Sequence, residues 1–83
     1  MTTNDLIQER RGTHGLWEQQ AAAAQALKDT MLANKYSILT VSQLEALEMI
    51  AVKISRILTG DPSFPDHWDD IAGYAMLGKQ GHE

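Results

Sequence analysis

Apolar and polar residues recur along this chain with the 3.6-residue period of helices, and glycines and prolines interrupt that period at a few places. The clearest stretch begins at Thr40. Thr40-Val41-Ser42-Gln43 fits a capping box, in which side chains satisfy the backbone donors that a helix start leaves unpaired. Gly60, just after Thr59, is a natural C-terminal stop. With Glu45 at zero on a wheel advancing roughly 100° per residue, Leu44, Leu47, Ile50, Ala51, Ile54, Ile57 and Leu58 fall in one arc about 140° wide. That arc predicts the core. The other arc holds Glu45, Glu48, Met49, Val52, Lys53, Ser55 and Arg56. Glu48 and Lys53 sit at its borders, where a charged tip is partly withdrawn from water and each ion matters more. Met49 and Val52, in the middle of this polar arc, predict a second contact surface, read as a subunit interface.

The remaining elements follow from the same signals. Asn4 is placed to cap a short first helix, with Leu6 and Ile7 as its apolar contacts. Gly12 and Gly15 bracket RGTHG, predicting a break or sharp kink. Leu16 to about Ala33 reads as a helix of good formers, with Trp17, Ala24, Leu27 and Met31 near one stripe. The alanines from Ala21 to Ala24 would admit a closely packed helix, or express helix propensity alone. Tyr36, Ile38 and Leu39 in the following connector are expected to cover the core. The loop GDPSFPD carries both prolines and cannot continue a helix. Asp66 is expected to cap a last helix from His67 to about Leu77, burying Trp68, Ile71, Ala72, Ala75 and Met76. GKQGHE reads as a frayed tail, flexible from about residue 79. No strand alternation persists and no repeat is present. The expected fold is all-α: a single domain over residues 1–83, with three to four helices in a small antiparallel bundle.

Length sharpens this picture. A chain of 83 residues hides only about 60–65% of its unfolded surface, so a monomer is marginal. Without cysteine it has neither disulfides nor thiolate zinc sites. His14, His67 and His82 form no pair at metal-ligand spacing. Self-association is the remedy left, and a homo-oligomer is expected. The N-terminal residues lack the apolar core of a signal peptide, and no apolar run approaches the roughly 20 residues of a membrane span. The expectation is a cytoplasmic protein without a membrane partner. The net charge of −4 and the absence of a dense basic run argue against duplex nucleic acid. They do not argue against one small anion, because a few inward-facing basic groups can dominate a pocket.

Candidate chemistry lies at three places. In RGTHG a backbone bend would expose Thr13 and His14 beside Arg10 and Arg11, presenting amides and side-chain donors to a phosphate. A simple helix break explains the glycines equally well. On the capped helix Glu48, Lys53 and Arg56 are the informative charges, against the alternative of a solvated face with helix-supporting ions. On the last helix Asp66, Asp70 and Tyr74 share a face, with Gly73 beside it leaving room for a neighbour. Carboxylates at Asp66, Asp69 and Asp70 are also what a helix dipole favours in a first turn.

Three pieces, ERRGTHGLWEQQAAAAQALK, LEALEMIAVKISRILTGDP and DHWDDIAGYAML, span nearly the whole chain. Together they resemble an uncharacterised family of short phage and prophage proteins. The last two also resemble the nucleotide-modification-associated domain of phages. More distantly they are similar to MazG-like all-α NTP pyrophosphohydrolases, which bind magnesium through an E-x-x-E pair on one helix and an E-x-x-D pair on the next. Glu45-x-x-Glu48 fits the first pair; the second would be Asp66-x-x-Asp69, or Asp66 with Asp70 at another spacing. The double-glutamate start of that motif is absent, since Leu44 precedes Glu45. The resemblance marks Arg11, Thr13, His14, Gly15, Glu48, Lys53, Arg56, Asp70 and Tyr74 as ligand-binding. In the MazG-like case it marks Glu45, Glu48 and Asp70 as magnesium ligands.

Three functions compete at this stage. The first is an oligomeric protein that binds a nucleotide-like phosphorylated ligand, with Tyr74 or Trp17 against a base, and sequesters a nucleotide signal of host antiphage defence. The second is a magnesium-dependent nucleoside triphosphate pyrophosphohydrolase, with Lys53 and Arg56 on the leaving phosphates. The third is an adaptor whose charges form salt bridges that set register between subunits.

Overall fold

In the computed structural model, which describes residues 2–34 and 38–81, the described residues are helical and contain no strand. Four helices follow in order: α1 (Thr3–His14), α2 (Trp17–Asn34), α3 (Val41–Thr59) and α4 (Pro65–Gln80). The fold of the described residues is all-α, and none of these helices is long and apolar enough to cross a membrane.

α3 begins as its sequence dictates. The Thr40 hydroxyl accepts from Gln43 N at 3.0 Å, and Thr40 N donates to Gln43 Oε1 at 2.9 Å. Four other boundaries differ from expectation. The cap of α1 is Thr2, not Asn4, because Asp5 completes a second capping box with it. Gly12 lies inside α1, whose ladder tolerates one glycine, and the break falls at Gly15 alone. α4 starts at Pro65, whose fixed φ and missing N–H suit a first helical position, so Asp66 sits within the first turn rather than capping it. α4 also continues through Gln80, three residues past the expected end at Leu77. Its end is held from across the molecule, by a 2.6 Å hydrogen bond from the Thr40 hydroxyl to the Gly81 carbonyl. His82 of the expected tail, and Tyr36 of the expected core cover, lie outside the described residues.

α3 is the central element and packs most extensively against α4. The two run antiparallel: Gly78 meets Ala46 near one end, and Asp70 meets Lys53 toward the other. The tightly buried residues are small or polar: Ala24, Ala46, Ala51, Ser55, Gln20, Lys53 and His67. Several large apolar side chains expected inside are instead exposed, namely Trp17, Ile38, Leu47, Leu58, Trp68 and Met76. A wheel identifies a stripe, but one neighbouring helix covers only part of a stripe this wide. Ser55 and Lys53 are buried because α1 and α4 close over what the wheel assigned to the wet arc. Met49 and Val52, expected at a subunit interface, are half-buried within the chain.

Candidate functional site

The end of α1 and the end of α3 touch backbone to backbone. Gly15 has φ 83° and ψ −179°, a region open essentially to glycine alone. A Cβ at Gly15 would run into the Thr59 carbonyl. A Cβ at Gly60 would run into the Thr13 carbonyl and approach Gly15 N to 2.7 Å. Both glycines are therefore required by one close crossing. Asp61 N donates to the Thr13 carbonyl at 3.2 Å. The Thr59 hydroxyl lies 3.1 Å from the His14 carbonyl and 2.8 Å from that of Ser55, sharing its proton between them.

α4 joins this crossing through His67. Its ring is 1% exposed, and Nε2 donates to the Thr13 carbonyl at 2.9 Å. A carbonyl only accepts, so Nε2 carries the proton. The His67 ring meets His14 edge-on at 4.7 Å between centroids and Phe64 at 5.0 Å. The His14 Nδ1 shares a 2.5 Å hydrogen bond with its neighbour Thr13 Oγ1. The segment read as a bend is thus a rigid shelf supported by both α3 and α4.

An open cleft of about 350 Å³ lies on the shelf. Glu9, Arg10, Thr13 and His14 reach it from α1, Lys53 and Arg56 from α3, and Asp66, His67 and Asp70 from α4. An adjoining cleft of about 360 Å³ on the α2 side shares Arg10, His14 and Arg56 and adds Arg11 and Gly15. Lys53 Nζ bonds Asp70 Oδ2 at 2.9 Å, with side-chain exposures of 11% and 45%. The hydrogen bond from Lys53 holds the Asp70 carboxyl below its ordinary range, aided by the charges of Lys53, His67 and Arg56.

Arg56 is the least satisfied group of the site. Its Nε is buried without a hydrogen-bond partner. Burial, and then the charge of Arg10, depress its pKa, against the opposing pull of Asp70 and Tyr74. His14 is pushed down to about 4, first by burial and then by Arg56, His67, Arg10 and Lys53. It is therefore neutral at pH 7. The cleft carries three carboxylates, Glu9, Asp66 and Asp70, against the cations Arg10, Lys53 and Arg56, and within it the Arg56 Nε–H is left without an acceptor.

Of the residues singled out from sequence, Arg10, Thr13, His14, Lys53, Arg56, Asp66 and Asp70 line the first cleft, and Arg11 and Gly15 the second. Tyr74 acts on Arg56 electrostatically but lines neither cleft. Glu48 is half-buried and Glu45 exposed, and neither lines either cleft. The eleven-residue step from Glu45 to Arg56 is about 16 Å of helix. Glu45, Glu48 and Asp70, the expected magnesium ligands, do not gather: among the described residues no three His, Asp or Glu side chains are grouped to hold a metal ion. The physical reason is that Asp70 is turned to Lys53, well below the glutamates on α3. His67 and Phe64 had no assigned role in the sequence. His67's partner Thr13 is 54 positions away, so helical periodicity carries no trace of it.

No curated protein and no solved structure matches this chain. A family model covers residues 1–82, and the chain belongs to that family, described as a domain of unknown function, DUF6378.

Proposed function

We propose that this protein binds a small phosphorylated, nucleotide-like ligand at the shelf between α1, α3 and α4, and holds it rather than turning it over. The observation that carries this reading is Arg56. A buried guanidinium N–H without a partner, beside a second arginine, is costly unless an anion occupies the space between them. A phosphate there would accept from Arg56 and Arg10 and offset their mutual repulsion. Holding is favoured over magnesium-dependent hydrolysis because Glu45 and Glu48 line neither cleft and Asp70 is committed to Lys53. The sequence resemblance to short phage proteins supplies a setting, the host cytoplasm, where such a protein would withdraw a nucleotide signal of antiphage defence.

Titration calorimetry with inorganic pyrophosphate and ADP tests this reading. Binding is expected, with Arg56→Ala weakening both ligands at least tenfold. Absence of binding by the folded wild-type protein at millimolar ligand overturns it.

The binding form is a homo-oligomer. A folded monomer of 9.2 kDa exposes about 4,900 Å², whereas this chain exposes 5942 Å². The excess, on the order of 1,000 Å², matches one partner's share of a standard interface, about 800 Å². Trp68, Ala72, Ala75 and Met76 are exposed along one face of α4, and a second copy of the chain is the occupant that this area fits.

One observation favours a structural reading of part of the site. The Lys53–Asp70 pair ties α3 to α4 in the absence of any ligand. If Lys53→Met alters thermal stability but not ligand affinity, Lys53 belongs to the scaffold.

A further inference from the structure

The adjoining cleft holds a polar group that neither the fold nor the phosphate reading uses. Gln20, in the first turn of α2, is 6% exposed. Its backbone N–H bonds the Leu16 carbonyl at 2.9 Å, but its side-chain amide has no hydrogen-bond partner among the described residues. Its amide atoms stay open to solvent in the cleft, where a ligand can take the place of that water. Gln20 lines the cleft together with Ile7, Trp17 and the shared Arg10, His14 and Arg56. Trp17, one helical turn before Gln20, is 69% exposed, although its ring is among the largest apolar surfaces of the chain.

These features divide one continuous site into two unlike halves. The shared arginines form its centre. On one side lies the polar shelf of Thr13, Lys53 and His67. On the other lie an apolar wall (Ile7), an exposed aromatic face (Trp17) and an amide able to donate and accept at once (Gln20). A phosphate alone uses the centre and leaves the second half empty.

We propose that the second half is a nucleobase subsite: the base lies against Trp17, and Gln20 pairs with an edge presenting a hydrogen-bond donor beside an acceptor. The inference rests on the phosphate reading above and names the ligand class, an aromatic nitrogen heterocycle joined to a phosphate. An amide makes two parallel hydrogen bonds to such an edge, as glutamine does with adenine. Stacking on an aromatic ring and a donor beside an acceptor are open to every base, so Trp17 and Gln20 both supply affinity that a bare phosphate lacks.

The test compares inorganic pyrophosphate, ribose 5-phosphate, ADP and UDP on the wild-type protein, Gln20→Leu and Trp17→Ala by titration calorimetry. Circular dichroism confirms that each variant folds. ADP should bind the wild type at least tenfold more tightly than pyrophosphate. In Trp17→Ala the ratio of ADP to pyrophosphate affinity should fall about tenfold. In Gln20→Leu that ratio should fall several-fold. Should Gln20→Leu fail to fold, Gln20→Glu keeps the shape but removes the donor, and it should lower the same ratio. If pyrophosphate binds and the nucleotides bind no more tightly, the base subsite is overturned and the phosphate reading stands. If none of the four binds, both readings fall.

Discussion

Two glycines three residues apart have opposite roles, and their substitution separates them. A Cβ at Gly12 meets no atom within 4 Å, so Gly12→Ala should stabilise the protein by about 1 kcal/mol through helix propensity and a less flexible unfolded chain. Gly15 carries a positive φ and faces the Thr59 carbonyl, so Gly15→Ala should cost at least about 2 kcal/mol and lift the shelf off α3. Urea denaturation measures both. His14 makes a pH prediction at the same scale. Its pKa is lowered from 6.5 to about 4, so between these values the unfolded chain binds more protons than the folded one. Stability therefore rises with pH across that window and is lost as pH falls from about 6.5 to about 4. The ring is partly exposed, so solvent screening leaves a loss on the order of 1 kcal/mol. A bound anion would favour protonated His14, and ligand affinity should rise as pH falls through the same range. His14→Asn should flatten both dependences; persistence of the affinity trend in that variant would place its origin elsewhere.

Among elements, the end of α4 and the start of α3 share one residue. Thr40 both caps α3 and donates to the Gly81 carbonyl, so Thr40→Ala should cost about 1–2 kcal/mol in thermal or urea unfolding. Thr2→Ala removes an equally complete capping box from α1. That helix fully buries none of its residues, so the loss should be at the low end, about 0.5 kcal/mol. The Lys53–Asp70 pair, which ties α3 to α4, is asymmetric. Asp70→Asn leaves an ammonium almost withdrawn from water without its anion, whereas Lys53→Met leaves a carboxylate that water can reach. Asp70→Asn should therefore lower the melting temperature more than Lys53→Met does. The reverse order would show that Asp70, not Lys53, is the group that the fold must satisfy.

At the scale of the molecule, the helices enclose too little. The radius of gyration is 14.1 Å, against about 12 Å for a compact domain of this length, and the extents are 43 × 24 × 22 Å. An elongated shape spreads apolar side chains over surface that a sphere would hide. Self-association through α4 should appear as a mass at least twice that of the chain in light scattering after size exclusion. Met76→Asp should reduce it to that of the chain, because a carboxylate in an apolar contact loses its hydration without gaining a partner. An unchanged mass in the folded variant would move the interface away from α4.

The sequence by itself determined the helices, because capping boxes, glycine stops and apolar period are local and act within a few residues. Thr40, Gly60 and the prolines of GDPSFPD mark their boundaries almost to the residue. It also pointed to Thr13, His14, Lys53, Arg56 and Asp70, which border apolar stripes or sit at a glycine bend. What only the tertiary structure decided is which of these meet. Gly15 and Gly60 are 45 positions apart, and their common purpose, room for one backbone on another, leaves no periodic signature. His67 is buried by a carbonyl of another helix, and Gln20 by helices packed over it, so neither stands out from its neighbours in the chain. Glu45 and Glu48 look as informative as Lys53 on a wheel, but a wheel has no axial coordinate. Height along α3 separates the glutamates from the site.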